Sequence, residues 1–429
     1  MAQPPRISYK SEAPMIEGLQ AIRVQELGSS GDLSSENLLE LANSGVVEYS
    51  PNLPTVTVTL NTSDYGSTDT TALLANLFTA NANQFIPLAS QNTQVIQIGD
   101  PPDGTDSAFD LDANGVPIQA DIVAYIVESG ADVTRTMYLP RCSLTSVNFS
   151  YSVTGFATES YTLTTDQKIW YFGPNYNMAK CMPCTYNAAD QADSDYTKPT
   201  GAYMLSAWVN EDEYTNAESA LTWGTTDITG FQTMIGRALV ANDRVRIIFY
   251  DTVADTFPSL PSAIQVSDRG AMRKGHIDIY MYSALFGSNR TLRCQTASFA
   301  TDMSRASLEQ LGTERSYFSS LEYPVNTTVT ISVLDSDLTE WARLCNITDI
   351  IGTDGRMDVD TFRSDIVVEA KIYNSRTSHT QANMLKLVKC VDCSVIGENH
   401  SVTVGDNAAQ EFTFLVDNIM LSGTGVIPS

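Results

Sequence analysis

The chain has 429 residues, 43% of them hydrophobic and only 17% charged, which is enough for two or three domains with proper cores and too apolar for a disordered polymer. Asp and Glu number 50 against 25 Lys and Arg, and the formal charge of −25 disfavours tight binding to nucleic acid or to anionic membranes, since both need cations to displace counterions. No apolar stretch approaches the roughly 20 residues that span a bilayer, and the opening Met-Ala-Gln-Pro-Pro-Arg lacks a basic region followed by an apolar run, so a protein made and folded in cytoplasm is expected.

Abundant Thr, Ser, Val and Tyr in short apolar runs predict a mainly β fold. Residues 1–20, with Pro4, Pro5 and Pro14, read as an extended arm. Residues 21–60 read as a strand, a short helix near Leu38 to Leu41, and a strand in which Val56, Val58 and Leu60 alternate with Thr. Ser63-Asp64 is a helix N-cap signal, and Leu73, Leu74 and Leu77 have helical spacing, so a helix is predicted over Thr70 to Phe78.

Residues 80–118 are polar and rich in Pro and Gly, a long connection with weak strands. Within and just beyond it, Asp110, Asp112, Asn114 and Asp121 stand at positions 1, 3, 5 and 12 of a calcium-loop pattern, with Gly115 at position 6 for the sharp turn. The pattern departs at position 12, where Asp replaces Glu, and a solvated Asx-rich turn is the simpler reading. A strand over 121–127 and two or three more over 133–172 complete the first unit.

Residues 175–270 read as an insertion or third module on the surface. They hold an acidic loop from Asp190 to Tyr196, a helix over Ile228 to Leu239 capped by Asp227, a strand over Val245 to Tyr250, and the linker Phe257-Pro-Ser-Leu-Pro261. A second unit starts at His276-Ile-Asp-Ile-Tyr280 and runs to the end of the chain. The predicted boundaries are therefore 1–174, 175–270 and 271–429.

The two outer units match each other. Thr-Val-Thr-Ile-Ser-Val-Leu-Asp-Ser-Asp at 328–337 repeats the pattern of 55–64, and Val329, Ile331 and Val333 fall at Val56, Val58 and Leu60. Arg23-Val-Gln25 matches Arg293-Cys-Gln295, Leu38 and Leu41 match Leu308 and Leu311, Asp121-Ile-Val-Ala-Tyr-Ile126 matches Asp365-Ile-Val-Val-Glu-Ala-Lys-Ile372, and Glu159-Ser-Tyr-Thr-Leu163 matches Gln410-Glu-Phe-Thr-Phe414. Five matches in one order argue for a duplicated domain.

Catalytic signatures are absent from the sequence. The three His residues (His276, His379 and His400) adjoin no nucleophile motif, and there is no Gly-x-Ser-x-Gly elbow, phosphate loop or dinucleotide fingerprint. An enzyme is not expected, nor any cofactor apart from calcium at the loop above. Cys181-Met-Pro-Cys184 and Cys390-Val-Asp-Cys393 have the spacing of zinc pairs but lie over 200 residues apart in non-equivalent places, and no knuckle glycine follows Cys393, so buried or free thiols are the default.

Leu292-Arg-Cys-Gln-Thr-Ala-Ser-Phe-Ala-Thr-Asp302, then Leu308-Glu-Gln-Leu-Gly312, Tyr317 and Pro324 ahead of an alternating strand, resembles tail tube proteins of tailed viruses. Gly155-Phe-Ala-Thr-Glu159 with Tyr161-Thr-Leu163 resembles another stretch of that family. The resemblance covers most of 20–172 and 276–420. It implies two tandem β-sandwich or partial-barrel domains, each with a flanking helix, in a structural virion protein whose rings stack into a genome-conducting tube. A chain with two such domains would need three copies per ring, a homotrimer with pseudo-sixfold symmetry. Tail sheath or terminator and baseplate proteins would be its neighbours, DNA would pass through without specific binding, and no membrane would be involved. It would reside in the virion tail after assembly in the host cytoplasm. The rival readings are a viral fibre or adhesin module that binds a cell surface, and another capsid or baseplate protein.

Overall fold

In strands such as Thr158–Thr165 and Ala409–Val416 every second residue is buried and the residues between are half-exposed or exposed, whereas Ile366–Tyr373 is buried along both faces. The pattern recurs in both outer units and organises the whole architecture. A computed structural model describes residues 12–16, 19–20, 24–32, 35–39, 46–51, 54–63, 95–99, 119–127, 134–172, 179–194, 197–210, 212–250, 272–283, 294–308, 318–334, 366–401, 409–416 and 418–422.

The first unit contributes six principal strands: β1 (Glu12–Ile16), β2 (Val24–Asp32), β3 (Thr55–Ser63), β4 (Ala120–Val127), β5 (Thr134–Ser152) and β6 (Thr158–Thr165). The second contributes β7 (Ile277–Ser283), β8 (Cys294–Asp302), β9 (Asn326–Leu334), β10 (Ile366–Tyr373), β11 (Met384–Ser401) and β12 (Ala409–Val416). The fold is mainly β, as the composition predicts. The first set pairs in the order β2-β3-β6-β5-β4-β1, and the second in the order β8-β9-β12-β11-β10-β7, all antiparallel.

Each unit is a sandwich folded around one long strand. The first half of β5 pairs with β4 and its second half with β6; β11 divides in the same way between β10 and β12. The turn from one layer to the other falls at Arg141 (φ 53°) in β5 and at Asp392 (φ 54°) in β11, both in the left-handed region that side chains rarely adopt. Between the layers, Val58, Leu60, Leu144, Phe149, Val329, Ile331, Phe412 and Phe414 are buried in one apolar core that runs through both units.

Register corrects the match read from sequence. Val58 lies opposite Leu163 in β6, and Val329 lies opposite Phe414 in β12, so Val329 corresponds to Val58 and not to Val56. Likewise Ile122 faces Leu139 while Val368 faces Cys390, so Ile122 corresponds to Val368 and not to Ile366. The two sets of strands pair in the same order, and within that order the residue match slips by two.

Two local readings also differ. The segment read as a helix near Leu38 to Leu41 begins in a strand, Ser35–Leu39, paired with Val46–Pro51, and in the second unit Arg305–Leu308 pairs with Phe318–Leu321. Two leucines are too little apolar face to offset the cost of nucleating a short helix, whereas a hairpin satisfies the backbone at once. The helix read over Ile228 to Leu239 is only Phe231–Ile235, preceded by a strand at Asp227–Thr229. Gly230 (φ 105°) and Gly236 (φ 75°) bracket it in conformations that no helix continues through, and a Cβ on Gly230 would sit 2.5 Å from the Ala220 carbonyl oxygen. The N-terminal arm is partly sheet, since β1 pairs with β4 from Glu12↔Ile126 to Ile16↔Ile122. The predicted helix over Thr70 to Phe78 lies outside the described residues.

A separate seven-stranded sheet is built from Lys180–Ala188, Gln191–Ser194, Tyr203–Val209, Asp212–Tyr214, Thr222–Trp223, Asp227–Thr229 and Val245–Tyr250. It has its own core around Trp223, Phe231, Ile247 and Phe249. Its other face packs Trp208 and Ile248 on Val123, Tyr125 and Tyr138 of the β4-β5 layer. Among the described residues, no helix is long and apolar enough to cross a membrane.

Candidate assembly surface

The two units meet edge to edge. Strand β8 pairs along the second half of β5, from Thr296↔Ser152 to Asp302↔Ser146, and so joins the two inner layers into one antiparallel sheet. Eight segments follow in order: the end of β11, β12, β9, β8, the end of β5, β6, β3 and β2. The Val153 amide donates to the Gln295 carbonyl at 3.0 Å and the Met303 amide to the Thr145 carbonyl at 2.7 Å, extending the ladder past both strand ends. Phe149 and Phe299 face each other across the joint, both fully buried, and Tyr151 packs edge-on against Phe299.

Beneath this joint lies a charge pair with no access to water. Lys386 of β11 bonds Glu159 of β6, both side chains at 0% exposure. The ammonium also lies 4.7 Å from the Phe149 ring centroid, and the Tyr161 hydroxyl donates to the second carboxylate oxygen. One unit supplies the cation and the other the anion. Nothing in the sequence announces this contact, because the partners are 227 positions apart in unremarkable strands.

At either end of the eight-segment sheet an edge is left over. Among the described residues, β2 pairs only with β3, and Ser394–Ser401 of β11 pairs only with β12. The two edges are the counterparts of the two that meet inside the chain, since β2 occupies the place of β8 and the end of β11 the place of the end of β5.

The sheet face turned away from the core is hydroxylic. Thr57, Thr59, Thr162, Ser298, Thr330 and Thr413 lie on it, with Glu26, Asp32, Asp302 and Glu411 as its charges. Among the described residues it carries no Lys or Arg. Cross-strand bonds fix its side chains. Ser160 Oγ donates to Asn61 Oδ1 at 2.5 Å, Asn61 Nδ2 donates to Glu26 Oε2 at 2.7 Å, and Ser298 Oγ donates to Asn148 Oδ1 at 2.8 Å.

Of the calcium-loop residues, Asp110, Asp112 and Asn114 lie outside the described residues. Asp121 is buried in β4, where it accepts from Arg246 Nε at 2.6 Å and from the Arg141 amide at 2.9 Å, with Arg244 at 3.5 Å. Burial works to raise its pKa, but Arg244, Arg246 and the Arg141 amide outweigh that and hold it below the usual carboxylate value. The residue thus fastens the seven-stranded module to the first unit, beside Cys181 N–H to Tyr125 hydroxyl at 3.0 Å and Arg244 Nη1 to the Gln119 carbonyl at 2.8 Å.

The two cysteine pairs sit on different sheets. Cys184 enters the module core while Cys181 packs on the opposite face, and Cys390 and Cys393 are buried in β11. His379 is bonded to Asp278 at 2.8 Å and stacked on Tyr373, His276 lies near it against Arg376, and His400 is exposed on the β11 edge.

Neither a known protein family nor a curated protein matches the sequence. Among solved structures, a chain in the tail of an empty GTA particle, determined with C6 symmetry, is similar over 35% of this chain and 94% of its own, at 11% identity and a TM-score of 0.22. A chain in the sixfold-symmetrised baseplate of the anti-feeding prophage (AFP) is similar over 35% of this chain and 95% of its own, at 10% identity and a TM-score of 0.24.

Proposed function

We propose that the chain is two copies of one β domain and serves as a structural protein of a tailed-virus virion, three copies closing head to tail into a ring and rings stacking into the tube that conducts the genome during ejection. One observation carries this reading. The joint inside the chain consumes one edge of each kind and leaves one of each kind at its ends. A unit with that property polymerises head to tail, and it closes into a ring where the rotation per joint divides a full turn without a rise. Closure also removes the open edges that would otherwise aggregate.

The hydroxylic, cation-free face supports a conduit, because a wall without Lys or Arg gives phosphates nothing to hold. The sequence resemblance to tail tube proteins agrees with this architecture. The protein would then lie in the virion tail after assembly in host cytoplasm, with sheath or terminator and baseplate proteins as neighbours, and its role is mechanical, not catalytic. The test is electron microscopy of purified protein, with end-on rings averaged without imposed symmetry. Three chains and six lobes per ring are expected. Six chains per ring would put one unit outside the wall, and a discrete oligomer that never stacks would favour a fibre or adhesin.

A further inference from the structure

We propose that the joint between copies seats Arg135 of one chain in a polar socket made by Glu398, His400 and Gln410 of the next, in the place where Lys386, Phe149 and Glu159 fasten the two units within a chain. The proposal rests on the ring reading and assigns residues to its contact.

The internal joint is the template. Arg135 stands opposite Ile126 at the end of β4, and Lys386 stands opposite Ile372 at the end of β10, so the two cations hold the same place in their units. Glu159 stands opposite Phe149, and Gln410 stands opposite His400, so acceptor and ring also correspond. One step further along the same face, Tyr161 opposite Val147 corresponds to Phe412 opposite Glu398. The left-handed residues Arg141 and Asp392 fall in step with this alignment, and so do the buried Cys142 and Cys393.

Applying the β8–β5 register to the leftover edges sets Gly28–Asp32 of one copy against Gly397–Ser401 of another, with Ser29 opposite His400 and Ser30 opposite Asn399. Arg135 then enters over His400 and toward Gln410, where Lys386 lies over Phe149 and bonds Glu159. Gln410 Nε2 already donates to Glu398 Oε1 at 3.1 Å, so the carboxylate is held beside the place the guanidinium would take.

The chemical difference between the two joints has a physical reason. Within one chain, the joint forms once during folding and can enclose a bare ion pair. Between chains, Glu398 and His400 reach water before assembly, and an ion pair enclosed there without water would cost several kcal/mol of desolvation per charge. A hydrated socket with an amide acceptor avoids most of that cost. Glu398 and His400 also point from the core face of an open edge, and inward polar residues there discourage pairing with any strand that brings no cation. Weaker polar joints therefore alternate with strong buried ones around the ring.

The test uses the full-length protein, with mass photometry across a concentration series. Arg135→Glu and Glu398→Arg should each raise the concentration for half-assembly by about tenfold or more, and the charge-swapped double variant should recover most of it. Independently, Ser30→Cys with Asn399→Cys should form an intermolecular disulfide on oxidation, giving a covalent trimer, while either single variant should not. The two positions lie at opposite ends of one chain's sheet and cannot cross-link within it. Rings that form normally in both charge variants and give no cross-link overturn the socket and leave the ring reading intact. A wild-type chain that stays monomeric at all concentrations overturns the ring reading and the socket with it.

Discussion

The Lys386 ammonium and the Glu159 carboxylate are enclosed by aromatic rings and strand backbone, so each is tolerable only because the other is present. Removing one leaves a bare charge in the core. Lys386→Met or Glu159→Gln alone should each cost about 3–5 kcal/mol, while the double change should recover most of that loss. Urea denaturation of the four proteins of this cycle measures it, and additive single effects would show that the pair does not interact. Asp121 behaves differently because its cationic partners, Arg244 and Arg246, come from the module. Its pKa in the folded chain lies below the ordinary 3.8, so its stabilisation is complete above the unfolded pKa and is lost as pH falls through the folded one. Acid should therefore loosen the module below about pH 4, and Asp121→Asn should flatten that limb of the stability curve while lowering stability at pH 7. With both of its oxygens engaged, Asp121 would have to leave two arginines to ligate calcium. EGTA at fixed ionic strength is expected to leave the melting temperature unchanged, and a drop would show that the loop ending at Asp121 holds the ion.

At the scale of elements, the long strands β5 and β11 decide the architecture, and each turns between layers at one left-handed residue. Asp392 is exposed and tolerates that conformation better than most side chains. Asp392→Gly should be close to neutral, whereas Asp392→Val should cost about 1–2 kcal/mol in thermal denaturation, because a β-branched side chain cannot relax there. Equal effects of the two variants would show that the corner is not under conformational constraint. The strands themselves were legible from sequence, since alternation of Val and Leu with Thr over eight or so residues leaves little else. Their residue register was not, because a period of two matches itself after a slide of two, so the sequence alone sets Val329 against Val56. The hairpin at 35–51 and the one-turn helix at Phe231 were hidden for another reason. Pairing partners and the φ of Gly230 and Gly236 decide them, and neither is written in local apolar spacing. Lys386 and Glu159 were illegible for want of any local signal, while His400 and Gln410 gain meaning only from the strand pairing, which places them as Phe149 and Glu159 are placed in the first unit.

For the whole molecule, the distribution of charge matters more than the total of −25. If the eight-segment sheet lines a channel, its hydroxylic face meets the genome. The charges on it are Glu26, Asp32, Asp302 and Glu411, and among the described residues no cation stands beside them. Phosphates moving along such a wall release no counterions and gain no contacts, so nothing retards them. Repulsion from the acids reaches only about 10 Å at 0.1 M salt, enough to keep the duplex off the surface without blocking entry. Thr59 and Thr330 occupy equivalent places on this face, each half-buried among hydroxyl neighbours. Replacing both with Lys adds two cations per chain at matching heights in every ring. Wild-type assemblies should not retain DNA at low salt, and the doubly substituted ones should. The log of their affinity should fall with log salt at about −0.9 for each phosphate neutralised. Filter retention of labelled DNA across a salt series separates the outcomes. Tight retention by the wild type would mean that cations line the channel after all, and indifference of the Lys variant would mean that this face lies outside the passage.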